Sequence, residues 1–145
     1  MPSNLYLVDT SAWLFGLRKG FHPAIKSRLD HLLQKNLVIT TGIVKLELLG
    51  GTKTEKEFER LKMRLDSLET VETDGSVWTK AADLAFGLRR QGVTIPYTDI
   101  LIASCALLSE SIVLHVDNHF DLMAKHVDLK VESFLKKIKA VGALR

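Results

Sequence analysis

Three short, unbroken apolar runs govern what this chain can fold into: Leu5-Tyr6-Leu7-Val8, Leu37-Val38-Ile39 and Ile112-Val113-Leu114. A continuous apolar run that stops at a turn signal reads as a strand covered on both faces. Such strands belong to a parallel sheet, whose helical crossovers lay cover on each side. The intervening sequence supplies those helices. His22-Pro23 opens one that runs to about Gln34, and Thr40 and Thr41 offer caps for another that carries Glu47 and ends at Gly50-Gly51. From Ser76, the positions Trp78, Ala81, Ala82, Ala85 and Leu88 follow the i, i+3, i+4 rule of an amphipathic helix ending before Gly92. Thr98 can cap a further helix through Leu108, apolar almost all round and therefore central. Glu69 to Glu72 reads as an edge-like strand and Leu129-Lys130-Val131 as the last one. The expectation is an α/β protein with a parallel sheet between two helical layers. No repeat, low-complexity tract or linker divides residues 1–145, which predicts a single domain.

Composition agrees with that fold and excludes several function classes. A chain of 145 residues, 46% hydrophobic and 26% charged, can bury a full core and is not disordered. Its net charge of +3 permits nucleic-acid binding without demanding it. Cys105, the one cysteine, sits inside Leu101 to Leu108 and reads as a small core residue, which fits a reducing cytoplasm. Asp9 interrupts the early apolar stretch and no basic segment precedes it, so a signal peptide is not expected. No run approaches the ~18 apolar residues of a membrane span.

Four carboxylates stand against this apolar background. Asp9 follows Val8, Asp117 follows Val116, Glu47 lies within Ile43 to Leu49, and Asp99 lies within Tyr97 to Ala103. Unpaired buried carboxylates are strongly disfavoured, so acids are normally kept out of such runs. In an open parallel sheet, reactive groups gather outside the carboxyl ends of the strands, where Asp9 and Asp117 fall directly. Asp99 would lie in the first turn of its helix, where the dipole favours a carboxylate. Glu47 has Ile43 and Val44 at i−4 and i−3, so it borders the buried face of its helix.

Each acid also has an ordinary explanation. Asp9 and Asp117 could be turn residues, Asp99 a partner of the dipole, and Glu47 the solvated edge of its stripe. All four falling in one spatial zone favours a shared cation. Oxygen-only ligands select Mg²⁺ or Mn²⁺ over zinc. Such ions orient and deprotonate water and neutralise charge on a phosphate, which makes phosphodiester cleavage the chemistry indicated. The hydroxyls of Thr10, Ser11 and Thr98 could support the carboxylates or simply cap helices.

Competing chemistries are weaker. His115, Asp117 and His119 would share one side of an extended segment, as a zinc site might, but no further His or Cys stands at ligand spacing. Aspartyl-phosphate chemistry usually needs a second aspartate near the first or a lysine after a late strand; Asp9 is followed by Thr10 and Ser11. A P-loop, a dinucleotide fingerprint and a Ser-His-Asp triad all lack support. One further pattern stands apart from the acids. Phe58, Leu61, Leu65 and Leu68 form a narrow stripe suited either to the chain's own neighbouring helix or to a partner helix.

Taken together, Val8-Asp9-Thr10-Ser11-Ala12-Trp13, Glu47-Leu48, Thr98-Asp99-Ile100-Leu101-Ile102-Ala103 and Asp117-Asn118-His119-Phe120 resemble a PIN-domain ribonuclease, specifically the toxin subunit of VapBC-type toxin–antitoxin modules. The segment Leu114-His115-Val116-Asp117 departs from it, with His and Val where the family often has Thr or Ser and a polar residue. The resemblance implies a three-layer α/β/α sandwich with a short, mainly parallel central sheet. It also implies a metal-dependent endoribonuclease acting on structured RNA of the tRNA or rRNA class. Asp9, Glu47, Asp99 and Asp117 would hold one or two Mg²⁺ or Mn²⁺ ions, and an activated water would leave a 5′-phosphate and a 3′-hydroxyl. A homodimer held inactive by an antitoxin is implied too. Arg18, Lys19, Lys45, Lys53, Arg89 and Arg90 are candidates for the RNA path. The alternative is a module of the same fold that binds RNA or protein without cutting.

Overall fold

The computed structural model describes residues 4–17 and 22–140. Within them the chain runs β1 (Tyr6–Val8), α1 (Thr10–Leu17), α2 (Pro23–Gln34), β2 (Val38–Thr41), α3 (Gly42–Gly50), α4 (Glu55–Asp66) and β3 (Glu69–Val71). It continues through α5 (Gly75–Arg90), α6 (Tyr97–Ser109), β4 (Ile112–His115), α7 (Asn118–Ala124), β5 (Val131–Ser133) and α8 (Leu135–Ala140). The five strands form one sheet in the order β3-β2-β1-β4-β5, every neighbouring pair parallel.

Burial explains the layering. Adjacent strand residues point to opposite faces, yet Leu7 with Val8 and Val113 with Leu114 are all 0% exposed. Here helices cover both faces of the single sheet, and the result is a three-layer α/β/α sandwich. The single cysteine, Cys105, is fully buried on α6. Among the described residues no helix is long and apolar enough to cross a membrane.

β1 is the centre of the molecule. It pairs with β2 on one side and with β4 on the other, Tyr6 standing opposite both Val38 and Ile112. The chain therefore leaves β1 in one direction along the sheet and returns in the other. That reversal opens a crevice outside the carboxyl ends of β1 and β4.

The structure moves several boundaries. α1 starts at Thr10, directly after Asp9, and the Trp13 N–H bonds to the Asp9 carbonyl at 3.1 Å. Thr41 caps α3 by accepting from the Val44 N–H at 3.2 Å, while Thr40 is a fully buried residue of β2. Thr98 does not cap α6. Pro96 occupies the cap position in an extended conformation, so the helix opens at Tyr97 and leaves Thr98 exposed inside the first turn. The last strand is Val131–Ser133, because Val131 pairs with Val113 and Leu129 is buried before the ladder begins.

Two apolar stripes are redrawn. α5 buries Val77, Ala81, Leu84 and Leu88, one register from the expected face, and leaves Trp78 58% exposed. The stripe on α4 turns inward. Leu65 is fully buried, Leu61 and Leu68 pack against the core, and Phe58 is half-buried. That seam belongs mainly to the chain's own core.

Candidate active site

The crevice beyond β1 and β4 collects the acids. Asp9 comes straight off β1, 3% exposed, with its N–H bonded to the Leu114 carbonyl of β4 at 2.9 Å. Its Oδ2 accepts from both the Ser11 N–H (3.1 Å) and the Ser11 hydroxyl (2.6 Å). That hydroxyl in turn accepts from the Val116 N–H at 3.0 Å. One serine thus joins the first carboxylate to the loop that presents the last.

Asp117 follows β4 and caps α7, its Oδ1 accepting from the His119 N–H at 2.9 Å. Capping and clustering coincide here, so the turn role and the site role do not compete. Asp99, in the first turn of α6, approaches from the other side. His119 Nδ1 lies 2.9 Å from Asp99 Oδ2 and 3.1 Å from Asp117 Oδ1, binding the two acids into one group. Glu47 is exposed at the mouth instead of bordering buried surface, and the Thr10 hydroxyl holds its Oε1 at 2.7 Å.

Electrostatics tie the four acids together. Burial pushes the Asp9 carboxyl from 3.8 to about 6; the Ser11 hydrogen bonds partly offset this, while Asp99 and Asp117 push it further. Asp99 is raised in the same direction, first by burial and then by Asp117, with Glu47 adding repulsion and His119 opposing it. Two carboxyls raised by burial and by neighbouring acids make a site with an unmet demand for positive charge. A hard divalent cation meets that demand, and the donor set, three to four carboxylates, is the one such ions prefer.

The other sequence candidates divide. Thr10 and Ser11 each hold a carboxylate, whereas no hydrogen bond from the Thr98 side chain joins it to the acids. Of the proposed RNA-path cations, Arg18 and Lys19 lie outside the described residues. Lys45 reaches Asp66 at 3.3 Å, Arg89 approaches the Tyr97 hydroxyl at 3.5 Å, and Arg90 stacks over Phe86 at 5.6 Å. The zinc triad is dismantled. His115 is fully buried, its Nδ1 accepting from the Asp117 N–H at 3.0 Å, and only His119 joins the acids. Burial lowers the His115 pKa, and Asp121 Oδ1, 3.2 Å from its Nε2, opposes that shift. His119 is the residue that sequence reasoning misplaced. The signal was available, since an Asp117 cap puts His119 in the first turn of a helix and not on an extended strand.

Comparison with known proteins agrees with this geometry. The family model described as PIN domain matches residues 6–126. Ribonuclease VapC21 of Mycobacterium tuberculosis is 30% identical over 122 residues, spanning 82% of this chain and 86% of the relative. Ribonuclease VapC51 of the same organism is also 30% identical over 122 residues, spanning 82% and 85%. Among solved structures, VapBC2 from Rickettsia felis bound to a DNA fragment from its promoter superposes with a TM-score of 0.74 at 21% identity, covering 89% of this chain and 98% of that one. FitAB bound to an IR36 DNA fragment superposes with a TM-score of 0.72 at 20% identity, covering 89% and 94%. The chain belongs to the PIN-domain family, on its VapC ribonuclease branch.

Proposed function

We propose that this chain is a metal-dependent endoribonuclease, the toxin of a toxin–antitoxin pair, which hydrolyses phosphodiester bonds in structured RNA of the tRNA or rRNA class. The observation that carries the reading is the set of buried Asp9 and Asp99 with half-buried Asp117 at the sheet's reversal point, each raising the charge the others must bear, with Glu47 at its mouth. Asp9, Asp99, Asp117 and Glu47 would hold one or two Mg²⁺ or Mn²⁺ ions. Bound there, such an ion lowers the pKa of water and neutralises charge on phosphate. The chain's own groups supply orientation. Ser11 fixes Oδ2 of Asp9, and Thr10 fixes Oε1 of Glu47. The test is cleavage of total RNA in Mg²⁺ or Mn²⁺, followed by excess EDTA. We expect cleavage to stop on chelation and to return with either ion. Undiminished cleavage in EDTA refutes the metal role, and metal-dependent RNA binding without cleavage favours the non-catalytic alternative.

An antitoxin and a second copy of the chain are the protein partners of this reading. Leu14 and Leu17 on α1 and Leu46 on α3, all exposed, are apolar surface suited to an antitoxin segment. The exposed face of α5 suits a second copy. Trp78, Phe86 and neighbouring Tyr97 are 58%, 64% and 64% exposed around a floor of Ala82 and Ala85. Those three side chains leave on the order of 300–400 Å² to solvent, about half of what one partner buries in a standard interface. The face is also self-complementary: with two copies of α5 antiparallel about Ala82, Trp78 meets Phe86 and Asp74 meets Arg90. Phe86→Glu is therefore expected to weaken dimerisation at least tenfold in sedimentation while leaving the melting temperature nearly unchanged. An unaltered association constant would clear this face of the role.

A further inference from the structure

We propose that His119 is a direct ligand of the cation held by the acids, and that its nitrogen biases the site toward Mn²⁺ over Mg²⁺; this rests on the metal reading above. Nδ1 of His119, an oxygen of Asp99 and an oxygen of Asp117 all lie within 4.8 Å of one another. The two closest approaches are 2.9 Å to Asp99 Oδ2 and 3.1 Å to Asp117 Oδ1. Adjacent donors around an ion at ~2.1 Å stand roughly 3 Å apart in octahedral geometry. Nδ1 thus already stands at the spacing of a neighbouring ligand from each of the two carboxylate oxygens.

The imidazole is held in that place by the backbone. Asp117 Oδ1 accepts the His119 N–H at 2.9 Å, so the carboxylate that would share the ion also fixes the turn from which the ring projects. The ring's alternative role is a counter-ion to two acids, displaced when a metal arrives. The two roles differ in chemistry. Mg²⁺ takes oxygen ligands and retains water, whereas first-row transition ions accept imidazole alongside carboxylate. A ligand ring therefore separates Mn²⁺ from Mg²⁺, and a displaced counter-ion would not.

The experiment uses the full chain stripped of metal, titrated separately with Mn²⁺ and Mg²⁺ by calorimetry, beside His119→Gln. The Mn²⁺ complex is also examined by electron spin-echo modulation for coupling to nitrogen-14. We expect nitrogen coupling in the parent and none in the variant. Mn²⁺ affinity should fall at least tenfold in the variant while Mg²⁺ affinity changes less than threefold. Mn²⁺ bound to the parent without nitrogen coupling overturns the proposal, whatever the variant does. So does nitrogen coupling that persists in His119→Gln, or an equal loss of both ions. If neither ion binds the parent, the metal reading itself falls, an outcome distinct from ions that bind through oxygen alone.

Discussion

Asp99→Asn is expected to lower RNA cleavage by three or more orders of magnitude in a protein that folds normally. Asparagine matches aspartate in shape, and Asp99 is 9% exposed, so size is not what changes. What disappears is a negative charge at the meeting point of α6, Asp117 and His119. On the proposed mechanism, losing that charge would remove a metal ligand and the water it would help to position, and a thousandfold loss corresponds to about 4 kcal/mol of barrier reduction. The fold should not suffer, because burial and the neighbouring Asp117 already oppose ionisation of Asp99. Single-turnover cleavage and a melting curve on the same preparation decide the matter. Parental activity in the variant would remove Asp99 from the mechanism.

The second large effect is on stability and runs in the opposite direction from most core substitutions. Burial holds the folded Asp9 carboxyl at about 6, above its ordinary value of 3.8. Between those two values the folded state binds more protons than the unfolded state. Stability is therefore full below about 4 and is lost as pH rises through about 6. At neutral pH the ionised group costs up to about 3 kcal/mol in the absence of metal. Asp9→Asn keeps acceptors for the Ser11 bonds and removes that cost, so it should melt above the metal-free parent by up to about 10 °C at pH 7 and by much less at pH 4. Mg²⁺ at ~10 times its dissociation constant should stabilise the parent by roughly 1.4 kcal/mol and the variant hardly at all. A variant that melts below the metal-free parent would overturn the cost assigned to the ionised carboxylate, and one that responds equally to Mg²⁺ would show that Asp9 is not a ligand.

The parallel sheet was readable because Leu7, Val8, Val113 and Leu114 need cover on both faces, and the helical patterns between those short runs supply it. The acids were readable for the converse reason: Asp9 and Asp99 are charges in places where charge is expensive. What escaped notice depends on register and on contacts distant in sequence. On α5 the outward positions Trp78, Ala82 and Phe86 are nearly as apolar as the inward ones, so periodicity alone set the stripe one register off: Ala81 and Leu88 face inward as expected, whereas Trp78 and Ala82 do not. α7 and α8 carry too few residues for a periodic signal. Ser11 shows the same limit. A hydroxyl beside Asp9 suggests a local cap, but its bond to Val116 spans 105 residues and belongs to tertiary structure.

The central position of β1 also bears on when the acid cluster can exist. The strand that delivers Asp9 is made first, yet its partner β4 and the residues Asp99 and Asp117 are translated only in the last third of the chain. Pairing over such separations waits for the distant segment, since loop closure must precede the contacts that reward it. A partly synthesised chain can carry Asp9 and Glu47, but it has neither the strand that steadies the first nor the carboxylates that complete the cradle. A nascent chain with the proposed activity thus holds no finished site until Asp117 and β4 have been made, a delay written into strand order.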